Sequence, residues 1–156
     1  MLAVTRRSAL AALPLVAALA LSGCSGSPDD PLGLGGCLEG DRGTIAVGVS
    51  NTSGEPIVID AAALAEGSTG VVLIGTFLAL DEEARGTAVL FDDGGRAAFG
   101  GVDLDRAAIE PDAAAFVGVE VQRTGTEPGR VAGLTLTVDG EPQGVPVTLD
   151  LVDSCG

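Results

Sequence analysis

No histidine, lysine, tryptophan or tyrosine occurs anywhere in this chain, and its single methionine is residue 1. Without His there is no Ser-His-Asp or Cys-His apparatus, and without Lys no Schiff base. With no His, and with its cysteines assigned below to lipid and a disulfide, zinc, copper, haem and iron–sulfur centres lose their nitrogen and sulfur ligands, which removes a copper carrier from the options for a small β domain. Only carboxylates remain as acids or bases. A carboxylate pair about 5 to 10 Å apart could hydrolyse a glycoside. However, the chain has only four Phe to stack on a sugar, and Phe77, Phe91, Phe99 and Phe116 read as core. The sequence predicts a protein that is not an enzyme.

A run long enough to span a bilayer is missing too. Arg6 and Arg7 precede the thirteen residues Ala9 to Leu21, which are almost all Ala, Leu and Val. A spanning helix needs roughly 20 apolar residues, whereas the apolar region of an export signal needs about 7 to 15. The segment therefore reads as an export signal. The stretch Leu21, Ser22, Gly23, Cys24 resembles the lipobox of bacterial lipoproteins. That resemblance implies removal of residues 1–23 and attachment of a diacylglyceryl group to the Cys24 sulfur. Two acyl chains, at about 0.8 kcal/mol per buried CH₂, hold a protein on a membrane firmly. The implied address is the extracytoplasmic face of the cell membrane, lipid-anchored. Thr5, Arg6, Arg7 and Leu10 are also similar to a twin-arginine signal, so the general secretory and twin-arginine routes both stay open.

Cysteine is scarce, at three residues. With Cys24 assigned to lipid, Cys37 and Cys155 remain, and an oxidising compartment permits them to pair. They lack the close spacing of a redox-active C-x-x-C motif. A structural disulfide joining the two ends of the domain is expected. Residues 24–36 contain Gly, Ser, Pro and Asp with little to bury, and read as a lipidated flexible tether reaching about 20 Å. Residues 37–156 are long enough for one domain with a core.

Positive charge is scarce as well: the eight basic residues, all Arg, face 22 Asp and Glu, for a formal charge of −14. Loss of Arg6 and Arg7 takes this to about −16, a field that repels nucleic acid and anionic headgroups. The charge keeps an apolar chain soluble, and it would also attract cations or a basic partner. Asp81, Glu82 and Glu83, then Asp92 and Asp93, then Asp103 and Asp105 form three acidic turns with oxygen ligands of the kind calcium accepts. None matches an EF-hand loop, and each reads equally as a solvated turn. No other cofactor is expected.

Period-2 alternation dominates what is present. Ile45, Val47 and Val49 alternate with Thr44, Ala46, Gly48 and Ser50; after "NTSGE", the stretch "PIVI" opens a second strand. Asp60 to Gly67 fits either a short helix or a continuation of that strand. "VVLIGTFLAL", Val71 to Leu80, is apolar on both faces, as in a central strand under a second layer. Thr87–Phe91 and Arg96–Phe99 suggest a hairpin around "DDGG". The stretch from Val102 to Asp112 is ambiguous, and Pro111 excludes a long helix there. Ala115, Val117, Val119 and Val121 alternate cleanly, as do Leu134, Leu136 and Val138. "DGEPQG" then reads as a turn into Val145, Val147, Leu149 and Leu151, with Pro146 at an edge position. The fold class is all-β, a two-sheet sandwich of seven or eight strands.

"VGVSNTSGEPIVI" and "LTLTVDGEPQGVPVTLDLVDSC" behind a lipobox are similar to the small immunoglobulin-like lipoproteins of actinobacteria. The strand-C Trp and corner Tyr of antibody domains are absent. The resemblance implies an immunoglobulin-like sandwich and carries no activity with it. Three functions remain. The first is an anchored binding module engaging an envelope protein or extracellular ligand through loops or an edge strand. The second is a structural or accessory spacer of an envelope complex, and the third a calcium-dependent protein.

Overall fold

The computed structural model describes residues 35–156, and the expected signal, Cys24 and the tether up to residue 34 lie outside the described residues. Alternation decides the architecture. In β2 (Arg42–Ser50), Ile45 and Val47 project to one side and Thr44 and Ala46 to the other, and all four are buried. β2 pairs antiparallel along its whole length with β8 (Ala114–Arg123). β8 pairs on its other side with β4 (Val71–Leu80). The short strands β5 (Ala88–Phe91) and β6 (Val102–Asp103) complete a five-stranded sheet in the order β5-β2-β8-β4-β6.

Two smaller sheets cover its inner face. One has the order β11-β10-β3-β7, built from β3 (Ile57–Leu64), β7 (Ala107–Ile109), β10 (Leu134–Val138) and β11 (Glu141–Val145). The other is β1-β12-β9, from β1 (Gly35–Glu39), β9 (Gly129–Val131) and β12 (Thr148–Val152). Ile45, Val119 and Val121 pack against Val131, Leu149 and Leu151 of the smaller of these sheets. Leu78, Ala115 and Val117 pack against Ile59, Ile109 and Leu136 of the other. The described residues are thus all-β and layered as a sandwich, and their twelve strands include several of only two or three residues.

The outer face is covered by chain rather than solvent. The segments on either side of β5 fold back over it, 81–87 through a 3₁₀ turn (Glu82–Ala84) and 92–101 through α1 (Gly95–Phe99). The small residues Ala46, Gly48 and Gly118 make room: the Ala84 carbonyl lies against Gly48, and the Phe77 ring against Gly118. All four Phe gather in or beside this layer, with Phe99 centred 4.9 Å from Phe116, 5.0 Å from Phe91 and 6.2 Å from Phe77.

Four sequence expectations change. The expected hairpin half Arg96–Phe99 is helical, because left-handed Gly94 and Gly100 bracket the helix formers Ala97 and Ala98, and the i, i+3 spacing turns Arg96 and Phe99 toward the sheet. Val71–Leu80 is not covered on both faces throughout, since Val72, Leu73 and Ile74 are exposed. In "DGEPQG" only Asp139 and Gly140 turn, with φ of 50° and 80°, and Glu141–Val145 is itself a strand hydrogen-bonded to β10. Pro146 lies between β11 and β12, where the chain passes from one sheet to the other. Two ambiguities resolve: Asp60 to Leu64 continues β3, and the stretch after Val102 holds β6 and β7.

Cys37 and Cys155 form the expected disulfide, with Cα atoms 5.9 Å apart and a separation of 118 positions in sequence. It binds β1, paired parallel with β12, to the tail just beyond β12. β1 begins at Gly35, so Gly35 and Gly36, read above as tether, belong to a strand.

Two stability measurements follow. A Cβ at Gly118 would overlap the Phe77 ring, whereas one at Gly144 would meet nothing within 4 Å. Gly118→Ala is therefore expected to lose about 1–3 kcal/mol in urea titration, and Gly144→Ala to stay within about 0.5 kcal/mol of wild type. Replacing Cys37 and Cys155 together with Ser should cost about 2–5 kcal/mol by the same titration, because the loop it opens is long.

Candidate interaction surfaces

Polar side chains in this domain first serve to hold its layers. Asn51, which is buried, ends β2 and is fully satisfied. Its Nδ2 donates to the Glu55 and Ile109 carbonyls, each at 2.8 Å, and its Oδ1 accepts from the Ser53 amide and hydroxyl at 2.9 and 2.7 Å. Among the described residues no buried side-chain nitrogen or oxygen lacks a partner.

Arg96 fastens α1 to the five-stranded sheet. Its Nε and Nη2 donate to Glu120 Oε2 at 3.0 and 2.7 Å, Nη2 also donates to the Thr76 carbonyl at 3.1 Å, and Nη1 pairs with Asp103. The guanidinium lies 5.5 Å from the centre of the Phe77 ring. Its pKa is raised, first by the hydrogen bond it donates to Glu120 and then by Asp103, against an opposing effect of desolvation.

Arg123 does the corresponding work at the end of the sandwich nearest the disulfide. Its Nη2 donates to Asp41 Oδ1 at 2.6 Å and Asp153 Oδ1 at 2.7 Å, joining the end of β8 to the β1–β2 turn and to the C-terminal tail. These carboxylates, Asp153 first, raise its pKa. The Cys155 amide donates to Glu39 Oε1 at 3.0 Å in the same corner. Beside it lies an open cleft whose walls include Glu39, Asp41, Arg42, Asp92, Asp93 and Gln122.

The three acidic turns are kept apart. Asp81 caps the 3₁₀ turn, its Oδ1 accepting from the Glu83 amide at 2.8 Å, while Glu82 and Glu83 are exposed. Its own amide donates to the Ala114 carbonyl, at the opposite end of the sheet from Asp92 and Asp93. Asp93 lies 3.9 Å from Arg42, Asp103 is held by Arg96, and Asp105 is exposed. Among the described residues no group of three or more His, Cys, Asp or Glu is placed to hold a metal ion.

The feature that sequence reasoning missed is the first half of β4. Here Val72 is 45%, Leu73 37% and Ile74 47% exposed, three large apolar side chains in succession. β4 has β8 on one side from Val71 to Leu80, but on the other side β6 pairs only with Phe77 and Leu78. The register against β8 shifts between Leu73 and Gly75, which leaves Ile74 as the extra residue of a bulge. The signal in the sequence is that Val71–Leu80 contains neither a charge nor a proline. A covered central strand and an open apolar edge share that composition.

Compared with protein-family models and with curated proteins, the chain finds no match.

The Arg96–Glu120 pair is testable by a double-mutant cycle. Both side chains are partly buried, at 29% and 23% exposed. Arg96→Met, Glu120→Gln and the double variant should reveal a coupling of about 1–2 kcal/mol, between the values usual for exposed and buried pairs. Chemical denaturation of the four proteins measures it, and additive losses would show the contact to be idle.

Proposed function

We propose that the protein is a lipid-anchored, extracytoplasmic interaction module: a sandwich held on the outer surface of the cell membrane through Cys24 that engages another envelope protein. The lipobox-like Leu21–Cys24 stretch supports the anchor, and the pairing of the two remaining cysteines fits an oxidising compartment. The observation that carries the interaction reading is the open edge of β4. A domain with a strong acidic surplus keeps Val72, Leu73 and Ile74 in water on a strand whose other edge has no partner there. Large apolar side chains left exposed together at an open strand edge are surface of the kind that contact sites use.

The reading has two measurable parts. Wild-type protein should incorporate labelled palmitate and partition into the detergent phase, and Cys24→Ser should do neither. Label persisting in Cys24→Ser would remove the anchor. Native mass measurement of mild-detergent extracts should find the wild-type lipoprotein in a complex of fixed stoichiometry. Recovery of monomer alone would remove the interaction.

A further inference from the structure

The sheet edges of this domain are unequal. β5 has four half-buried residues, and its Leu90 lies against Gly36 of β1. β11 opens with Glu141 and Pro142, β7 and β9 have three residues each, with Arg130 in β9, and β1 is closed by the disulfide. These are the usual means by which proteins blunt an edge: brevity, charge, proline or cover. β4 has one of them, the bulge at Ile74, and otherwise runs uncharged from Val71 to Gly75. Beyond that point the edge is taken. The Thr76 carbonyl accepts from the Leu104 amide at 3.2 Å and from Arg96 Nη2, and β6 begins.

An uncovered stretch of this kind favours an added strand, which supplies main-chain partners and covers the exposed side chains together. Charge chooses the occupant. The described residues carry six Arg against twenty carboxylates, and five of the six Arg already lie within 4.0 Å of a carboxylate. Exposed carboxylates lie in the adjoining segments of chain: Glu66 in the loop before β4, Asp105 two residues beyond β6, and Glu127 in the loop whose Thr124 amide donates to the Gly70 carbonyl. A second copy of this chain would bring the same surplus to the contact, whereas a basic segment is drawn to it.

The geometry points to strand addition at Val71–Ile74 by an extended segment of a partner protein that mixes apolar and basic residues. The apolar side chains of that segment cover Val72, Leu73 and Ile74. Its Lys or Arg side chains face the carboxylates of Glu66, Asp105 and Glu127. This rests on the reading of the protein as an interaction module and goes further by naming the edge and the chemistry of what it takes.

The test uses the full-length secreted Cys24→Ser protein and a short capped peptide in which Val and Ile alternate with Lys and Arg. Three controls accompany it: the same peptide with every second amide N-methylated, the same peptide with Glu for the basic residues, and the Val72→Lys/Ile74→Lys protein. Saturating peptide is expected to slow amide exchange at Val72–Ile74 at least about tenfold. The N-methylated and acidic peptides should each bind at least about tenfold weaker, and added salt should weaken the basic one. Equal binding of the N-methylated peptide, protection elsewhere, or no protection overturns the inference. So does concentration-dependent protection of Val72–Ile74 without peptide, which would make a second copy the occupant. In membrane extracts, a native complex that survives Val72→Lys/Ile74→Lys sinks strand addition and leaves the interaction reading standing. Absence of any complex in wild type sinks that reading itself.

Discussion

Burial of β8 on both of its faces is the constraint from which the rest of the architecture follows. Residues Ala114 to Val119 are buried without interruption, so neither the inward nor the outward set can carry charge. The inward set is Ala115, Val117 and Val119 and meets the two smaller sheets. The outward set is small at Gly118, where Phe77 needs the room. That shortage of volume on the outer face brings segments 81–87 and 92–101 down onto the sheet and adds a third layer to what would otherwise be a simple sandwich. Packing against small residues is unforgiving, because there is no flexible side chain to move aside.

Electrostatics follow a similar economy. With six arginines among the described residues, each cation that pairs with a carboxylate reaches a different segment of the chain. Arg96 joins α1 to β8, Arg106 reaches Asp60 of β3, Arg123 draws the β1–β2 turn and the tail together, and Arg130 meets Asp150 across β9 and β12. The positive charge is thus committed to internal bracing. What faces water is mostly carboxylate, apart from the apolar run on β4.

Strands were readable from sequence wherever the two faces differ in side-chain type. Ile45, Val47 and Val49 against Thr44, Ala46 and Gly48 is such a case, even though both faces are buried, because the segments packed on the outer face come close to β2 and leave its outward positions small. The alternation in β8 and β10 is equally plain, and the pairing of Cys37 with Cys155 followed from counting. β4 was read as covered on both faces because uniform apolarity does not distinguish cover from exposure. α1 escaped notice because five residues are too few for a periodic signal, and its glycines suit a hairpin as well as helix ends. Glu141–Val145 has no strand propensity; the tight turn at Asp139 and Gly140 sets its register against β10. β1 is the extreme case, since "GGCLE" becomes a strand through β12, more than a hundred residues away. Of the site, the acidic turns were visible as letters but not as places, and which edge stayed open depended on how far β6 extends.

The parallel union of β1 and β12 has a mechanical consequence. Tension applied to the chain ahead of Gly35, along the strand, loads the hydrogen bonds between these two strands in shear, so they share the force instead of yielding one after another. Two residues further on, the sulfur–sulfur bond transfers the pull from Cys37 to Cys155. A pull arriving ahead of Gly35 is therefore divided at Cys37 between two routes, onward through β1 and across the sulfurs into the end of β12.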